Sequence, residues 1–326
     1  MTGDQNLAGS APRYKDRAAR AMSGPAVVPP YPSRVDLHTH SCRSDGVLEP
    51  AALVAAAAAA GVRVLALADH DTLAGVRALR APGAPALPLE LVAGVEINSI
   101  ATGIDDLWEG ELHILGLGVD PAADAFEAAL QNQRELRATR FSLLIARLRE
   151  LGMPVDEEAE SLKTEHGSSL GRPQVARLLV QAGHAPSVDA AMKELLARGK
   201  PAYVPRRGLG PRDAIAAIRA AGGLPSLAHF ADAPARRELI ANLIAEGLGG
   251  LEVHYRHFDA ATVAEMAALA AELRLVPTGG SDYHGDDGTY AEAHATLFVP
   301  DEDAVALFGS LGLMPPAFTP ATVVNS

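Results

Sequence analysis

The chain has 326 residues, a formal net charge of −12 at pH 7 and a single cysteine, Cys42. This length suits one barrel-sized domain with an insertion, and the lone cysteine excludes an intramolecular disulfide, which is consistent with a reducing cytoplasm. The acidic balance argues against a long basic groove for duplex DNA or structured RNA, because such binding depends on phosphate neutralisation by Lys and Arg.

Residues 1–33 carry Gly, Ala, Pro, Ser and charged residues without periodicity and end in VVPPYPS. This composition predicts a mobile N-terminal tail. The segment lacks the charged-then-apolar order of a secretion signal, and no apolar run of the chain is long enough to span a bilayer. We therefore expect a soluble, cytoplasmic protein without membrane contact.

Strand-like apolar runs alternate with helical segments from Val35 onward. The first helical segment has Pro50 near its first position and Gly61 just past its last, the usual asymmetry of helix ends. Its alanine-rich stretch indicates a helix packed closely on a sheet, because Ala is the best helix former. Counted from RVDLH, the runs give seven site-facing strands, with ATLFV (295–299) as an outlying addition.

Alternating strands and helices imply a parallel sheet. Candidate ligands after many of the strands imply closure into a barrel, whose active site lies at the C-terminal ends of its strands. An open doubly wound sheet is the alternative, but it would gather ligands only near its switch point. We therefore predict an α/β fold, namely a distorted TIM-like (β/α)7 barrel over residues 34–120 and 206–326 with a helical insertion over 121–205.

Side chains suited to metal binding lie in six short blocks, each at the downstream end of a strand-like run. His38 and His40 are two residues apart on one strand, so both project from the same face and one ion can take both. Carboxylates mixed with imidazoles suit Mn, Fe or Zn better than Ca or Mg, which prefer oxygen ligands. The blocks predict one polynuclear metal centre built from His38, His40, Asp45, His70, Glu96, His113, His229, Asp282 and His284.

Segment 121–205 interrupts the strand pattern with helices. On its longest helix Arg134, Arg137 and Arg140 recur every three residues and share a face. That face is either solvated or turned toward the metals to hold substrate phosphate, and arginine suits bidentate phosphate contact. The predicted phosphate ligands are Arg134, Arg140, Arg172, Lys200 and Arg206, of which Arg172 and Arg206 are preferred.

Other polar and aromatic residues near the blocks have two interpretations. Asp36 shares a strand face with His38 and could orient a ligand imidazole. His254 and His257 could contact substrate, although a plain core or loop role is favoured, and Trp108 could stack on a base, although loop packing is favoured. The expected surface histidines are His166, His184 and His294.

The blocks HTHSCRSDG, ADHDT, GVE, HILGLG, AH and GSDYHG resemble, in the same order, those of the polymerase and histidinol phosphatase (PHP) superfamily over residues 35–285. GRPQVARLLVQAG (171–183) and RGKPAYVPR (198–206) are similar to segments of its stand-alone phosphoesterase branch. That branch cleaves nucleoside 3′,5′-bisphosphates and trims short oligoribonucleotides from the 5′ end. Two departures are Gln174, where the branch often has His, and Phe230, where Pro is common.

The resemblance implies a barrel that holds two to three divalent transition metal ions, Mn, Fe or Zn. Glu96 would bridge the first two ions, which also hold the attacking hydroxide. Together with Asp45 and His229 it is predicted to be catalytic through the metals. The implied ligand sets are His38, His40, Glu96 and Asp282 for one ion, Glu96, His113 and His229 for a second, and Asp45, His70 and His284 for a third.

We therefore expect a metal-dependent phosphoesterase whose partner is a small phosphorylated substrate. The resemblance favours phosphate monoesters of nucleoside 3′,5′-bisphosphates, the 5′ ends of short single-stranded oligoribonucleotides, or both. A small-metabolite phosphatase of the histidinol phosphate type is the alternative, and the helical insertion with GRPQVAR disfavours it. A barrel that has lost its chemistry and serves as a binding module is also disfavoured, because all nine ligands are present. The oligomeric state stays open.

Overall fold

The computed structural model of the chain describes residues 32–318, apart from 102–103, 105–106, 108–109, 163–167, 286–287 and 316. Residues 1–31 of the tail predicted over 1–33 therefore lie outside the described residues. Trp108 and His166 also lie outside them. Ser33 is buried, and its carbonyl accepts a hydrogen bond from the His294 ring at 2.8 Å. Ser33 thus packs with the barrel, and the expectation that His294 lies at the surface is wrong.

Seven strands form one sheet in chain order, and the sheet nearly closes on itself. Just after the last strand, the Asp282 N–H donates to the His38 carbonyl at 2.7 Å, and the His40 N–H donates to the Tyr283 carbonyl at 3.0 Å. The predicted TIM-like α/β barrel is therefore confirmed, and the open sheet is excluded. The strands are β1 Val35–Thr39, β2 Val64–Leu67, β3 Glu90–Ile100, β4 Glu111–Leu117, β5 Leu224–Leu227, β6 Gly250–Tyr255 and β7 Val276–Gly280.

Strand β4 departs from the predicted parallel order. It pairs antiparallel with both β3 and β5, whereas the other neighbouring strands pair in parallel. A parallel neighbour needs a crossover of about a dozen or more residues, usually a helix, and the connection 101–110 is shorter than that. Because β4 is reversed, His113 near its start reaches the same end of the barrel as residues that follow the parallel strands.

The segment ATLFV (295–299) is not an eighth strand. It follows a short helix and runs without strand pairing into the next one, and Leu297 and Val299 are buried against Leu307 and Phe308. The closed sheet explains this difference, because its described strands leave little edge for another strand to join. The apolar pattern of ATLFV reflects packing against a helix.

The helices confirm the alternation read from the sequence. The first begins at Pro50 as predicted, and Gly61 follows it with a φ of 98°. No helix in the described part of the chain is long and apolar enough to cross a membrane. The helices are α1 Pro50–Ala59, α2 Ala74–Leu79, α3 Asp124–Glu150, α4 Asp156–Leu162, α5 Arg172–Gln181, α6 Val188–Ala191 continued by a π-turn over Met192–Leu196, α7 Pro211–Ala220, α8 Arg237–Ala245, α9 Ala260–Leu273, α10 Tyr290–His294 and α11 Asp301–Ser310.

Helices α3 to α6 have an apolar core of their own. Phe141 and Leu148 of α3 pack with Val175 and Leu179 of α5 and with Leu196, separately from the two clusters that contain the barrel strands. A core made only of residues from this part of the chain supports our proposal that 121–205 is a helical insertion.

Candidate metal centre

All nine predicted ligands converge at one end of the barrel. Within each of three overlapping groups, the potential ligand atoms lie within 4.8 Å of one another. The groups contain the three sets that the resemblance implies, with one addition: His40 lies close enough to join the third group as well as the first. The groups are His38, His40, Glu96 and Asp282, then Glu96, His113 and His229, then His40, Asp45, His70 and His284.

These side chains occupy different positions relative to the strands that carry them. His38 lies in β1 and His40 just after it, and their rings are 5.1 Å apart. Glu96 does not end its strand as expected, because β3 continues to Ile100 and pairs with β4 along that length. Its carboxylate nevertheless reaches the centre, since alternate side chains of β3 face the barrel interior.

Two ligands occupy strained backbone. His229 has a φ of 32° and Asp282 a φ of 50°, values in the left-handed region that favours glycine. Such a conformation costs about 1–2 kcal/mol for an ordinary residue. Gly280 allows the chain to reach this position, because a Cβ there would lie 2.4 Å from the His38 Cβ. The fold therefore holds these two side chains in place against a local preference.

Glu96 is at the middle of the cluster. One carboxylate oxygen lies 2.7 Å from His113 Nδ1 and 3.1 Å from His229 Nε2, and the other lies 3.1 Å from His70 Nδ1. The second oxygen is also 3.2 Å from His40 Nε2. Burial opposes the charged form, but the surrounding imidazoles outweigh it and hold the pKa of Glu96 well below its usual range. An ionised carboxylate thus contacts side chains of all three groups.

Neighbouring imidazoles of the cluster differ in proton affinity. Burial lowers the pKa of His70 to about 3. Burial also opposes the charged form of His113, but the Glu96 and Glu111 carboxylates outweigh it and raise the pKa of His113 to about 9. His284 behaves likewise beside Asp45 and Asp282, with its pKa raised to about 10. The carboxylates thus attract positive charge into this end of the barrel, which protons or metal ions can supply.

Several buried atoms of the candidate ligands lie within 3.4 Å of an oppositely charged group but make no hydrogen bond of acceptable geometry among the described residues. Native proteins pair nearly all buried polar atoms, so imidazole nitrogens and carboxylate oxygens that face one another without such bonds fit a site for cations. The donor set of imidazole nitrogens and carboxylate oxygens fits divalent Mn, Fe or Zn. The orphaned atoms are His38 Nε2, His40 Nε2, His70 Nδ1, Asp45 Oδ1 and Asp282 Oδ1.

Glu252 supports the ligands and was missed by the sequence analysis. One of its oxygens accepts a hydrogen bond from His38 Nδ1 at 3.0 Å, and the other accepts from the His229 N–H at 2.6 Å. This arrangement leaves His38 Nε2 for a metal and fixes the backbone of His229. The signal was a carboxylate in the middle of the apolar run GLEVHY.

Asp36 does not orient an imidazole ring, so that interpretation is wrong. Its carboxylate accepts hydrogen bonds from the Ser281 hydroxyl and the Tyr290 hydroxyl, each at 2.7 Å, and from the Ser281 N–H at 2.9 Å. Asp36 therefore ties the end of β7 to β1 and acts on the backbone that carries Asp282. His254 has a plain role, since its ring lies 3.0 Å from the Asp303 carboxylate.

A cavity of about 420 Å³ opens from the metal cluster toward the helical segment. Three of the predicted phosphate ligands line it: Arg140, Arg172 and Arg206. Arg206 donates to Asp71 at 2.9 Å and Arg140 donates to the Val204 carbonyl at 2.8 Å, while each keeps a buried guanidinium nitrogen without a partner among the described residues. Burial lowers the pKa of both arginines to about 10, so both stay charged at neutral pH. The cavity therefore offers cationic donors beside the metal cluster.

Two other predicted phosphate ligands lie elsewhere. Arg134 donates to the Asp71 carbonyl at 3.1 Å and pairs with Glu127, and Lys200 is exposed in the loop after the π-turn. Neither residue lines the cavity, because Arg134 is bound to Asp71 and Glu127 and Lys200 is exposed to solvent. Arg137, from the same helix face, lines the cavity but donates to Asp71 and Asn98. We therefore retain Arg140, Arg172 and Arg206 as the proposed substrate contacts.

A nearly closed α/β barrel with overlapping histidine and carboxylate groups at one end defines a metal-dependent hydrolase. Comparison with known proteins specifies the class further. The family model of the PHP domain matches residues 36–179. The chain is 36% identical over 261 residues to the 5′-3′ exoribonuclease Rnm of Salmonella typhimurium. The aligned residues cover 76% of this chain and 84% of that protein. The chain belongs to the PHP family, and it is a phosphoester hydrolase.

Two further relatives agree with this assignment. The 3′,5′-nucleoside bisphosphate phosphatase of Chromobacterium violaceum is 32% identical over 256 residues, which cover 77% of this chain and 87% of that protein. A solved structure from Bifidobacterium adolescentis, assigned as a metal-dependent phosphoesterase, superposes with a TM-score of 0.72 at 28% identity. That alignment covers 86% of this chain and 98% of the other.

Proposed function

We propose that the protein hydrolyses nucleoside 3′,5′-bisphosphates and removes nucleotides from the 5′ end of short oligoribonucleotides. Both reactions break the same bond, between the 3′ oxygen of a nucleoside 5′-phosphate and the phosphorus attached to it. One site can therefore serve both substrates. The relatives named as an exoribonuclease and as a bisphosphate phosphatase support this pair of activities.

The observation that carries the proposal is the joint presence of the ligand cluster and three arginines in one cavity. A nucleoside bisphosphate carries two anionic groups. One would lie at the metals, and the other would need separate cationic donors, which Arg140, Arg172 and Arg206 supply. Histidinol phosphate instead carries an ammonium group at its far end, which three guanidinium groups would repel. The cavity therefore favours the bisphosphate over this alternative.

Apolar side chains of the same cavity suit the nucleoside part of the substrate. Leu112, Leu144, Phe230 and Phe258 are among its lining residues. Apolar and aromatic side chains of this kind contact the faces of nucleobases without selecting a sequence. The cavity thus offers apolar side chains for the base in addition to charged groups for the two phosphates.

The reaction is a hydrolysis with balanced products. When bound, divalent ions lower the pKa of a water molecule and neutralise charge on the phosphoryl oxygens. Glu96 and the imidazoles would hold these ions, Glu252 fixes the ring of His38, and the arginines hold the 5′-phosphate. The water oxygen bonds to phosphorus, the bond to the 3′ oxygen breaks, and that oxygen takes up a proton. A bisphosphate gives a nucleoside 5′-phosphate and inorganic phosphate.

We expect more than one metal ion per chain, because the nine ligands exceed what a single ion can use. Elemental analysis of protein prepared without chelators should find two to three equivalents of Mn, Fe or Zn. A value at or below one equivalent would refute the polynuclear centre.

We further propose that the protein acts in the cytoplasm, where its single cysteine stays reduced.

A substrate comparison tests the proposed function. Purified protein with Mn²⁺ is incubated with adenosine 3′,5′-bisphosphate, histidinol phosphate and a 5′-phosphorylated tetraribonucleotide, and phosphate and nucleotide release are measured. We expect the bisphosphate and the tetraribonucleotide to react with kcat/KM values at least tenfold above that of histidinol phosphate. Preference for histidinol phosphate would establish the alternative, and no turnover of any of the three would support a binding module.

A further inference from the structure

A second cavity, of about 470 Å³, adjoins the first beside the metal cluster. The two share Pro173, Met192, Tyr255, Asp282 and His284 as lining residues. We call the cavity with the three arginines the first lobe and this one the second lobe. Its volume is within the range of about 300–1,000 Å³ that is usual for small-ligand sites. The cleft therefore continues past the ligand cluster instead of ending there.

The second lobe has one wall from the helical segment and one from the barrel. Val188 and Asp189 of α6 lie on the first wall, and Arg256 and His257, which follow β6, lie on the second. None of the arginines of the first lobe lines the second. The two lobes thus have separate cationic groups, with the ligands Asp282 and His284 between them.

Arg256 is the arginine that lines the second lobe. Its Nε is buried and has no hydrogen-bond partner in the described part of the chain, which is costly for a guanidinium unless a ligand completes it. Tyr255 beside it connects the lobes, since its ring lies 5.5 Å from that of His229 and 5.3 Å from that of His257. Besides the candidate ligand Asp282, Asp189 adds a negative charge to this lobe, and Lys193 pairs with it at 2.9 Å.

The two proposed substrates differ in what they need here. In a bisphosphate, the phosphorus at the metals carries only unsubstituted oxygens besides the 3′ oxygen, so the first lobe and the metals suffice. In an oligoribonucleotide, the same phosphorus also carries the 5′ oxygen of the next nucleotide, which needs an opening beside the metals. Cleavage yields a nucleoside 5′-phosphate and a chain shortened by one residue with a new 5′-phosphate.

We propose that the second lobe binds the nucleotide that follows the scissile phosphate, with Arg256 contacting the next phosphate of the chain. This inference rests on the proposed function and extends it to a second binding site. The first lobe would hold the departing nucleotide and the second lobe the retained chain. The second lobe, and not the metal centre, would then decide whether a phosphodiester is accepted.

Variants of the second lobe test the inference. Arg256→Met removes the guanidinium but keeps a long side chain, and Arg256→Lys keeps the positive charge. With Arg256→Met, kcat/KM for a 5′-phosphorylated tetraribonucleotide should fall about tenfold or more, because a charge-assisted contact is lost. For adenosine 3′,5′-bisphosphate it should stay within about twofold, which also reports that the variant is folded. Arg256→Lys should restore part of the lost activity.

Asp189→Asn provides a variant of opposite sign on the other wall. The Asp189 side chain is 70% exposed, so the fold should tolerate the change, and removal of a negative charge should raise kcat/KM for the tetraribonucleotide about two- to threefold.

Equal losses on both substrates with Arg256→Met, or no loss on either, would overturn the second-lobe inference. It also fails if the wild-type protein cleaves the bisphosphate but not RNA. Failure of the proposed function would appear instead in the wild-type protein as turnover of neither substrate.

Discussion

Replacement of Glu96 by Gln is expected to lower kcat for every phosphate substrate by about three orders of magnitude, equivalent to about 4 kcal/mol. The carboxylate lies within 3.3 Å of five histidine rings, those of His38, His40, His70, His113 and His229. Gln has the same shape but no charge, so the ions of adjacent groups would lose a shared anionic ligand. Steady-state kinetics with Mn²⁺ and circular dichroism would separate loss of activity from loss of fold.

Glu90→Gln is the matched control for this variant. Glu90 begins the same strand but is exposed, so the same chemical change should leave kcat within about twofold. Metal analysis of both proteins should show a lower content only in the Glu96 variant. Near-normal turnover of that variant would remove Glu96 from its proposed place at the centre of the site.

Arg172→Ala is expected to change substrate preference. For adenosine 3′,5′-bisphosphate, kcat/KM should fall by about one to two orders of magnitude, because a bidentate charge-assisted contact to the second phosphate contributes roughly 1.5 to 3 kcal/mol. p-Nitrophenyl phosphate has no second phosphate and should be much less affected. Arg172 is the first residue of α5, and its charge acts on the buried Glu111 in the first lobe.

Arg149→Ala serves as the control within the helical segment. Arg149 is exposed at the end of α3 and pairs with Asp156, so its removal should leave the kinetics of both substrates unchanged. If Arg172→Ala weakens both substrates equally, the residue supports the metals or the fold, and the first lobe does not select for a second phosphate.

The ligand residues were predictable from sequence because each lies in a short block whose chemistry is unusual for its surroundings. Burial of a histidine or carboxylate directly after an apolar strand costs free energy unless the group is paired or binds a ligand. Positions at the C-terminal ends of the strands in one barrel lie at the same end of it. Local spacing therefore sufficed to predict the barrel and to propose nine ligands that meet at one end of it, although Glu96 lies inside β3 and His113 near the start of β4. The reversal of β4 depended instead on the length of one connection, which the alternation of strands and helices does not reveal.

The supporting contacts could not be read in the same way, because they join residues far apart in the chain. Asp71 pairs with Arg137 and Arg206, which both line the first lobe, and no local pattern links these residues. Gln174, which departs from the His that is frequent in the stand-alone branch, donates to the Ser44 carbonyl and accepts from the Gly171 N–H at 2.8 Å. Only the fold shows that it secures the loop that carries Asp45.

The left-handed backbone at His229 and Asp282 sets the local preference of the chain against the metal-binding role proposed for these two residues. Glycine would relieve the strain there and could make the isolated chain more stable, but it would remove a side chain that the metal centre needs. Selection for a stable barrel alone would therefore favour a different sequence from selection for a working enzyme. Laboratory evolution of thermostability without an activity screen would be expected to lose these ligands early.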